Sequence, residues 1–157
     1  MNILAIDPGP LRSAYVVYDV YTSCICEFHL ASNADLLARL RATPAVDVVV
    51  IEKVASYGMA VGESVFETVY WSGRFTEAAH PLAVDRITRL QVKLALCHDS
   101  RAKDANIRAA LIDRYGGQAI AIGNKQTPGP LYGVSKDVWS ALAVAVAWAD
   151  ENGLRGS

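Results

Sequence analysis

The chain has 157 residues, 52% of them hydrophobic, with a formal net charge of −1 and three cysteines. That is enough apolar material for one domain with a sizeable core, and it excludes a disordered or low-complexity protein. No apolar run is long enough to cross a bilayer, the amino terminus lacks the basic-then-apolar layout of a secretion signal, and Cys24 and Cys26 fit neither a zinc pattern nor a disulfide set; a reducing cytoplasm is the expected location.

In chain order, Ile3-Leu4-Ala5-Ile6 runs into Asp7-Pro8-Gly9. A continuous apolar run closed by a turn predicts a central strand covered on both faces. Proline lacks an amide hydrogen and Gly9 admits positive φ, so pairing stops there and leaves Asp7 at the carboxyl end, where open α/β sheets place their sites. Arg12 to Val20 and Cys24 to Leu30 follow as two strands of a meander. Asn33 reads as the N-cap of a helix over Ala34 to Arg41, with Leu36, Leu37 and Leu40 as its apolar stripe and Pro44 beyond it. Val46 to Lys53 is a second buried strand, and it too ends in an acid, Glu52.

Turn chemistry from Ala55 to Gly62 leads into a helix over 63–80, ended by Pro81. Its Val65, Phe66, Val69, Tyr70, Trp71 and Phe75 cover more of the circumference than one core-facing stripe needs. A short strand near Ala83 to Ile87, a helix over Arg89 to Cys97 and another over Lys103 to Tyr115 come next, with Gly116-Gly117 as the stop. Gly123 to Pro130 is a loop by composition and reads as mobile. Ser135 is placed to cap the last helix, which carries Asp137 in its first turn and faces Leu142, Val146 and Ala149 inward. Residues 1–151 thus form one domain; 152–157 read as a frayed tail, with Arg155-Gly156-Ser157 as an appended sequence.

Charge is unevenly spread. Residues 1–73 hold four Lys/Arg against eight Asp/Glu, whereas residues 74–114 hold eight against five. The near-neutral total therefore hides a local basic excess of the kind that meets a polyanion or a solvated helix surface.

Asp-Pro-Gly closing the first strand, Ile51-Glu52 closing the fourth, Gly73-Arg74 in the long helix, Val92-Lys93, Ala102-Lys103 and Asp137-x-x-Ser140-Ala141-Leu142-Ala143 together resemble the RuvC-type Holliday junction resolvases, most of all the bacteriophage variant. The resemblance spans nearly the whole chain. It implies an α/β ribonuclease H-like fold, with a mixed five-stranded sheet flanked by helices. It also implies a magnesium-dependent endonuclease, a homodimer that makes paired nicks across four-way or other branched DNA in the cytoplasm of a bacterial or phage-infected cell. Asp7, Glu52 and Asp137 would be the catalytic acids holding two Mg²⁺, with Mn²⁺ able to substitute. Oxygen ligands without histidine or cysteine suit that metal, and cations are what a phosphodiester anion needs before an anionic nucleophile approaches.

Lys93 and Lys103 inherit contacts to the cleaved strand's backbone, Arg74 and Arg101 stand with them as DNA-binding residues, and Tyr57 falls where an aromatic approaches the junction centre. The surplus apolar surface of helix 63–80 supplies the two-fold interface, with Trp71 and Phe75 as leading contacts. Two departures stand out. Pro10 replaces the small polar residue usual after Asp-Pro-Gly, and Ser140 stands where the last helix often carries a second acid, so it would reach a metal only through water. Two other readings stay open on sequence: a weakly cleaving, architectural junction-binding protein, and a ribonuclease H-like nuclease for other branched or hybrid nucleic acids, which would need contacts to 2′-hydroxyls.

Overall fold

Strand β1 (Asn2–Asp7) lies at the middle of the sheet, as its unbroken apolar run requires. The computed structural model describes residues 1–154; the Arg155-Gly156-Ser157 sequence lies outside the described residues. After β1 come β2 (Arg12–Asp19), β3 (Cys24–Ser32), α1 (Asn33–Arg41), β4 (Val48–Lys53), α2 (Glu63–Ala78), β5 (Ala83–Thr88), α3 (Arg89–Cys97), α4 (Asp104–Arg114), α5 (Gln118–Ala121) and α6 (Val138–Glu151). The five strands form one mixed sheet in the order β3-β2-β1-β4-β5. β1 pairs antiparallel with β2 and parallel with β4, and β4 pairs parallel with β5.

Alternation of side chains along the strands divides the core in two. Ile3 and Ala5 of β1, Val16 and Tyr18 of β2 and Val50 of β4 pack on the side covered by α6, α3 and α4. Leu4, Ile6, Tyr15, Val17, Val49 and Ile51 pack on the opposite side against Leu36, Leu37 and Leu40 of α1 and Phe75 of α2. Each β1 side chain from Ile3 to Ile6 is fully buried. At roughly 1.5–3 kcal/mol per large apolar side chain, this central strand is among the main contributors to stability.

Helix α6 departs from the one-faced pattern expected of it. Every residue from Ala141 to Ala149 is buried, not only Leu142, Val146 and Ala149. Alanines at 141, 143, 145, 147 and 149 are small enough to let sheet and helices close in from all sides. Its carboxyl end is tied to the sheet edge by Trp148, whose Nε1 donates to Asp85 Oδ2 on β5 at 2.7 Å. Leu154 closes the end, its backbone N–H donating a hydrogen bond to the Ala149 carbonyl.

Two local expectations, both about helix caps, are corrected. The N-cap of α1 is Ser32, whose hydroxyl accepts from the Asp35 amide, and Asn33 is instead buried. The N-cap position of α6 is Asp137, and Ser135 accepts from the Val138 amide only through its backbone carbonyl. The segment 123–130 is closed on itself, with Asn124 Oδ1 accepting from the amides of Gln126 and Thr127 and the Gly129 amide bonded to the Ile122 carbonyl. Short α5 was hidden by its length, a single turn after two glycines.

The buried Asn33 braces the turn after β1. Its Nδ2 donates to the Gly9 carbonyl at 2.9 Å and its Oδ1 accepts from the Ser13 hydroxyl at 2.6 Å, while Ser13 Oγ accepts from the Gly9 amide at 3.1 Å. With Pro10 in the turn, the hydroxyl that bonds to it is that of Ser13. Gly9 is required by close approach rather than by positive φ: a Cβ there would stand 2.3 Å from the Arg12 carbonyl oxygen. Gly9→Ala is expected to cost about 1–3 kcal/mol, as overpacking generally does, read as a lower urea midpoint at unchanged slope.

Candidate active site

Strand parity decides where the first two acids face. The β1–β4 ladder ends at the pair Ile6–Ile51, so Asp7 and Glu52 are the next residues on neighbouring parallel strands. Ile6 and Ile51 face α1 and α2; the residues that follow them turn to the α6 side. On that side Asp137 stands at the amino end of α6 with no cap bond from its side chain, which leaves its carboxylate uncommitted by the helix. The two strand acids are largely enclosed, whereas Asp137 is exposed at the rim.

Electrostatics show that the three share one environment. Burial, followed by the Glu52 and Asp137 charges, pushes the Asp7 carboxyl up to about 8. Burial likewise raises Glu52, against the opposing pull of Arg89. Arg89, the first residue of α3, sends Nη1 to within 3.5 Å of Glu52 Oε2 and pairs Nη2 with Asp104 at the start of α4. Glu52 Oε2 and Arg89 Nη1 are both buried and neither has a hydrogen-bond partner. A cavity of about 300 Å³ beside them is lined by Arg89, Asp104, Arg108, Lys136, Asp137, Trp139 and Ser140. Ser140 therefore shares a wall with Asp137, one helical turn further in.

Among the described residues no three His, Cys, Asp or Glu side chains are grouped closely enough to hold a metal as they stand. The donor chemistry nevertheless fits a hard divalent ion. All the available donors are oxygens, burial and then the neighbouring acids raise the Asp7 carboxyl well above its usual range, and a buried Glu52 oxygen lacks a hydrogen-bond partner. Arg89 and Asp104 were not singled out as site residues in the sequence. The signal was faint: an arginine opening a helix right after a strand, and an acid opening the next helix.

The predicted DNA-binding residues are dispersed around this centre. Tyr57, exposed and at φ 48°, lines a depression of about 240 Å³ with Arg89, Leu90, Lys93 and Ser100, so Tyr57 and Lys93 are brought together beside Arg89, the residue that also meets Glu52. Lys103 is exposed at the N-cap of α4, adjacent to Asp104, and Arg101 is exposed on the preceding turn. Arg74 lies on α2 over the rings of Trp71, at 4.4 Å, and Tyr70, at 5.6 Å. A larger groove of about 720 Å³ between β2, β3 and α1 contains none of the predicted residues.

Phe75 is fully buried in the molecule's own core and Trp71 packs beside it, which corrects the expectation that Phe75 contacts a partner. The surplus on α2 consists of Phe66, Val69 and Tyr70, all exposed.

A mixed sheet in this order, with acids at the carboxyl ends of its first and fourth strands and at the start of the last helix, defines the ribonuclease H-like class of fold. Within that class the chain has the fold of RuvC. It superposes on the Thermus thermophilus RuvC structure with a TM-score of 0.74 over 98% of both chains at 17% identity. It also matches T. thermophilus RuvC in complex with Holliday junction substrate with a TM-score of 0.67, at 18% identity over 98% of this chain and 96% of that one. No family model and no curated protein matches the sequence. No helix among the described residues is long and apolar enough to cross a membrane.

Proposed function

We propose that the protein is a divalent-metal-dependent endonuclease that cuts branched DNA, with the four-way junction as its substrate. The observation that supports this reading is the Asp7 carboxyl at the end of β1, raised first by its burial and then by the charges of Glu52 and Asp137 on two other elements. The fold supports it, and a neighbouring structure with that fold is described in complex with a Holliday junction substrate.

Asp7, Glu52 and Asp137 would hold Mg²⁺, or Mn²⁺ in its place, with Ser140 reaching it through water. When bound, the ion would supply Lewis-acid neutralisation of the phosphoryl oxygens and polarise the attacking water. The protein's own residues do the rest. The turn braced by Ser13 and Asn33 keeps Asp7 at its strand end. Lys93, facing the same depression as Tyr57, holds a backbone phosphate, and Tyr57 offers a ring face to an unpaired base, a contact worth about 1–3 kcal/mol. Lys103 and Arg101 extend the cationic surface along the strand being cut, and Arg74 extends it across α2.

The deciding assay is nicking of a synthetic four-way junction in Mg²⁺ beside a Y-fork and an RNA–DNA hybrid of equal length. Preferential, paired nicking of the junction supports the reading; hybrid cleavage without junction cleavage overturns it. One observation favours a second reading, a junction-binding protein that cleaves poorly: Arg89 already engages Glu52, and no ready-made group of three ligands stands among the described residues. Tight junction binding with no nicking at any Mg²⁺ concentration would decide for it.

Lys93→Ala should weaken junction binding and make log affinity against log salt shallower by roughly 0.9, the slope contributed by one phosphate contact. Filter binding at several salt concentrations measures both quantities.

Paired nicks need two sites related by symmetry, and the exposed Phe66, Val69 and Tyr70 on α2 form an apolar patch that two copies would bury together. Phe66→Glu is therefore expected to raise the dimer dissociation constant by tenfold or more while leaving the monomer folded; sedimentation with circular dichroism checks both.

A further inference from the structure

Asp104 and Arg108 stand one helical turn apart on α4, an acid and a cation in the order that ordinarily pairs along a helix face. Here the acid is already taken, because Asp104 pairs with Arg89. Arg108 lies instead over the ring of Trp139 on α6, its guanidinium carbon 4.9 Å from the ring centroid. That ring is 8% exposed and belongs to the core beneath α6, so the support is fixed. A guanidinium held against an aromatic face keeps its planar fork of N–H donors available for paired bonds to an anion.

Lys136 is tied to the same tryptophan, its carbonyl accepting from the Trp139 amide at 3.2 Å. Its φ is 50°, in the left-handed region that a lysine seldom adopts and that survives mainly where function holds it. Arg108 and Lys136 are both exposed, and among the described residues neither enters an ion pair. Both line the cavity of about 300 Å³ that also contains Arg89, Asp104 and Asp137. Within it Arg89 and Asp104 answer each other, and Arg89 also meets Glu52 behind them. Arg108 and Lys136 are left facing the single carboxylate of Asp137, two cations against one acid. Such a rim suits a ligand that brings its own negative charge, and a phosphate accepts both a planar fork and a point charge.

We propose that Arg108 and Lys136 together hold one backbone phosphate of the DNA in this cavity, beside the phosphate that is cut. The inference rests on the branched-DNA reading above and adds to it a binding site made by two residues on different elements. Arg108 supplies paired donors, Lys136 a point charge, and Trp139 fixes one relative to the other. Holding the neighbouring phosphate determines which bond of the strand comes up to Asp137.

The test measures binding in EDTA, so that no strand is cut, by fluorescence anisotropy on a four-way junction. The same junction is then made with a single neutral methylphosphonate in place of each successive phosphate around the branch point. The wild type is compared with a double variant carrying Arg108→Gln and Lys136→Gly. Neutralising one particular phosphate should weaken the wild type about tenfold and the double variant less than twofold, whereas phosphates held elsewhere should weaken both alike. On the unmodified junction the double variant should bind about tenfold more weakly, with log affinity against log salt shallower by roughly 0.9, one phosphate's share. Lys136→Gly alone should unfold in urea at a midpoint no lower than the wild type, since glycine adopts this φ freely, which separates a lost contact from a lost fold. A double variant that binds like the wild type, or one whose methylphosphonate pattern matches it, overturns the proposal and leaves the nuclease reading intact. A slope shallower by roughly 1.8 means two separate phosphates and overturns the shared site, as does a clearly lower midpoint for Lys136→Gly. A wild type that binds linear duplex in preference to the junction, and does not nick the junction in Mg²⁺, overturns both readings.

Discussion

Asp7→Asn is expected to lower junction nicking by about 10³-fold, the scale on which loss of a charge-stabilising group at a phosphoryl centre is felt, and at the same time to make the protein more stable. The amide keeps the shape of the carboxylate, so the strand end and its braced turn remain. The stability gain follows from linkage. The Asp7 carboxyl titrates near 8 in the folded protein and near 3.8 when exposed in the unfolded chain, so between those values the folded state holds more protons. For such a group the stability of the wild type falls as pH rises from about 4 to about 8, the reverse of a carboxylate stabilised by a salt bridge. Asparagine has no such penalty. In EDTA the variant should match the wild type near pH 4 and exceed it by about 5 kcal/mol at pH 8, roughly 10–20 °C in melting temperature for a chain of this size. Calorimetric scans at both pH values, with parallel junction-binding and nicking assays, measure each part. Equal melting temperatures at pH 8 would mean that the folded protein accommodates the Asp7 charge, and full nicking would remove Asp7 from the metal site.

Phe75→Ala should give the largest loss of stability among substitutions on α2, about 3–5 kcal/mol, because the ring is fully buried against Leu36, Ile51 and their neighbours and a cavity is left behind. Urea unfolding would show a markedly lower midpoint. The contrast with Phe66→Glu is informative, since the two phenylalanines lie on one helix: one variant should unfold more easily at any concentration, whereas the other should change only assembly. If Phe75→Ala is as stable as the wild type, the packing of α2 on the sheet is wrong.

These two positions also show what could be read before the structure. The strands ending at Asp7 and Glu52 were legible because apolar runs closed by a turn or an acid are strong local signals, and their sheet positions follow from those runs being covered on both faces. Phe75 was misassigned because periodicity counts apolar residues on a helix without saying which of two apolar faces meets the sheet. Asn33 looked like a cap because capping chemistry recurs at neighbouring residues, and only the fold reveals that Ser32 takes that position while Asn33 reaches back 24 residues to Gly9. The Arg89 contact with Glu52 joins residues 37 positions apart through the β4–β5 register, which no local pattern encodes.

The central place of β1 has a consequence for how the molecule opens. β1 is paired on both sides, its faces are covered by α6 and by α1 with α2, and α6 is itself enclosed along most of its length. Opening of such a segment requires global unfolding, whereas exposed segments with few internal bonds open on their own. Asp7 and Asp137 adjoin the first kind of structure. Tyr57 and Met59 belong to the second: both are exposed, in a stretch whose backbone bond at this point, among the described residues, runs from the Met59 amide to the Ser56 carbonyl. The acids and the aromatic that follows Glu52 therefore occupy opposite ends of the local stability scale. The loop can change shape while the geometry of the two strand-end acids stays fixed.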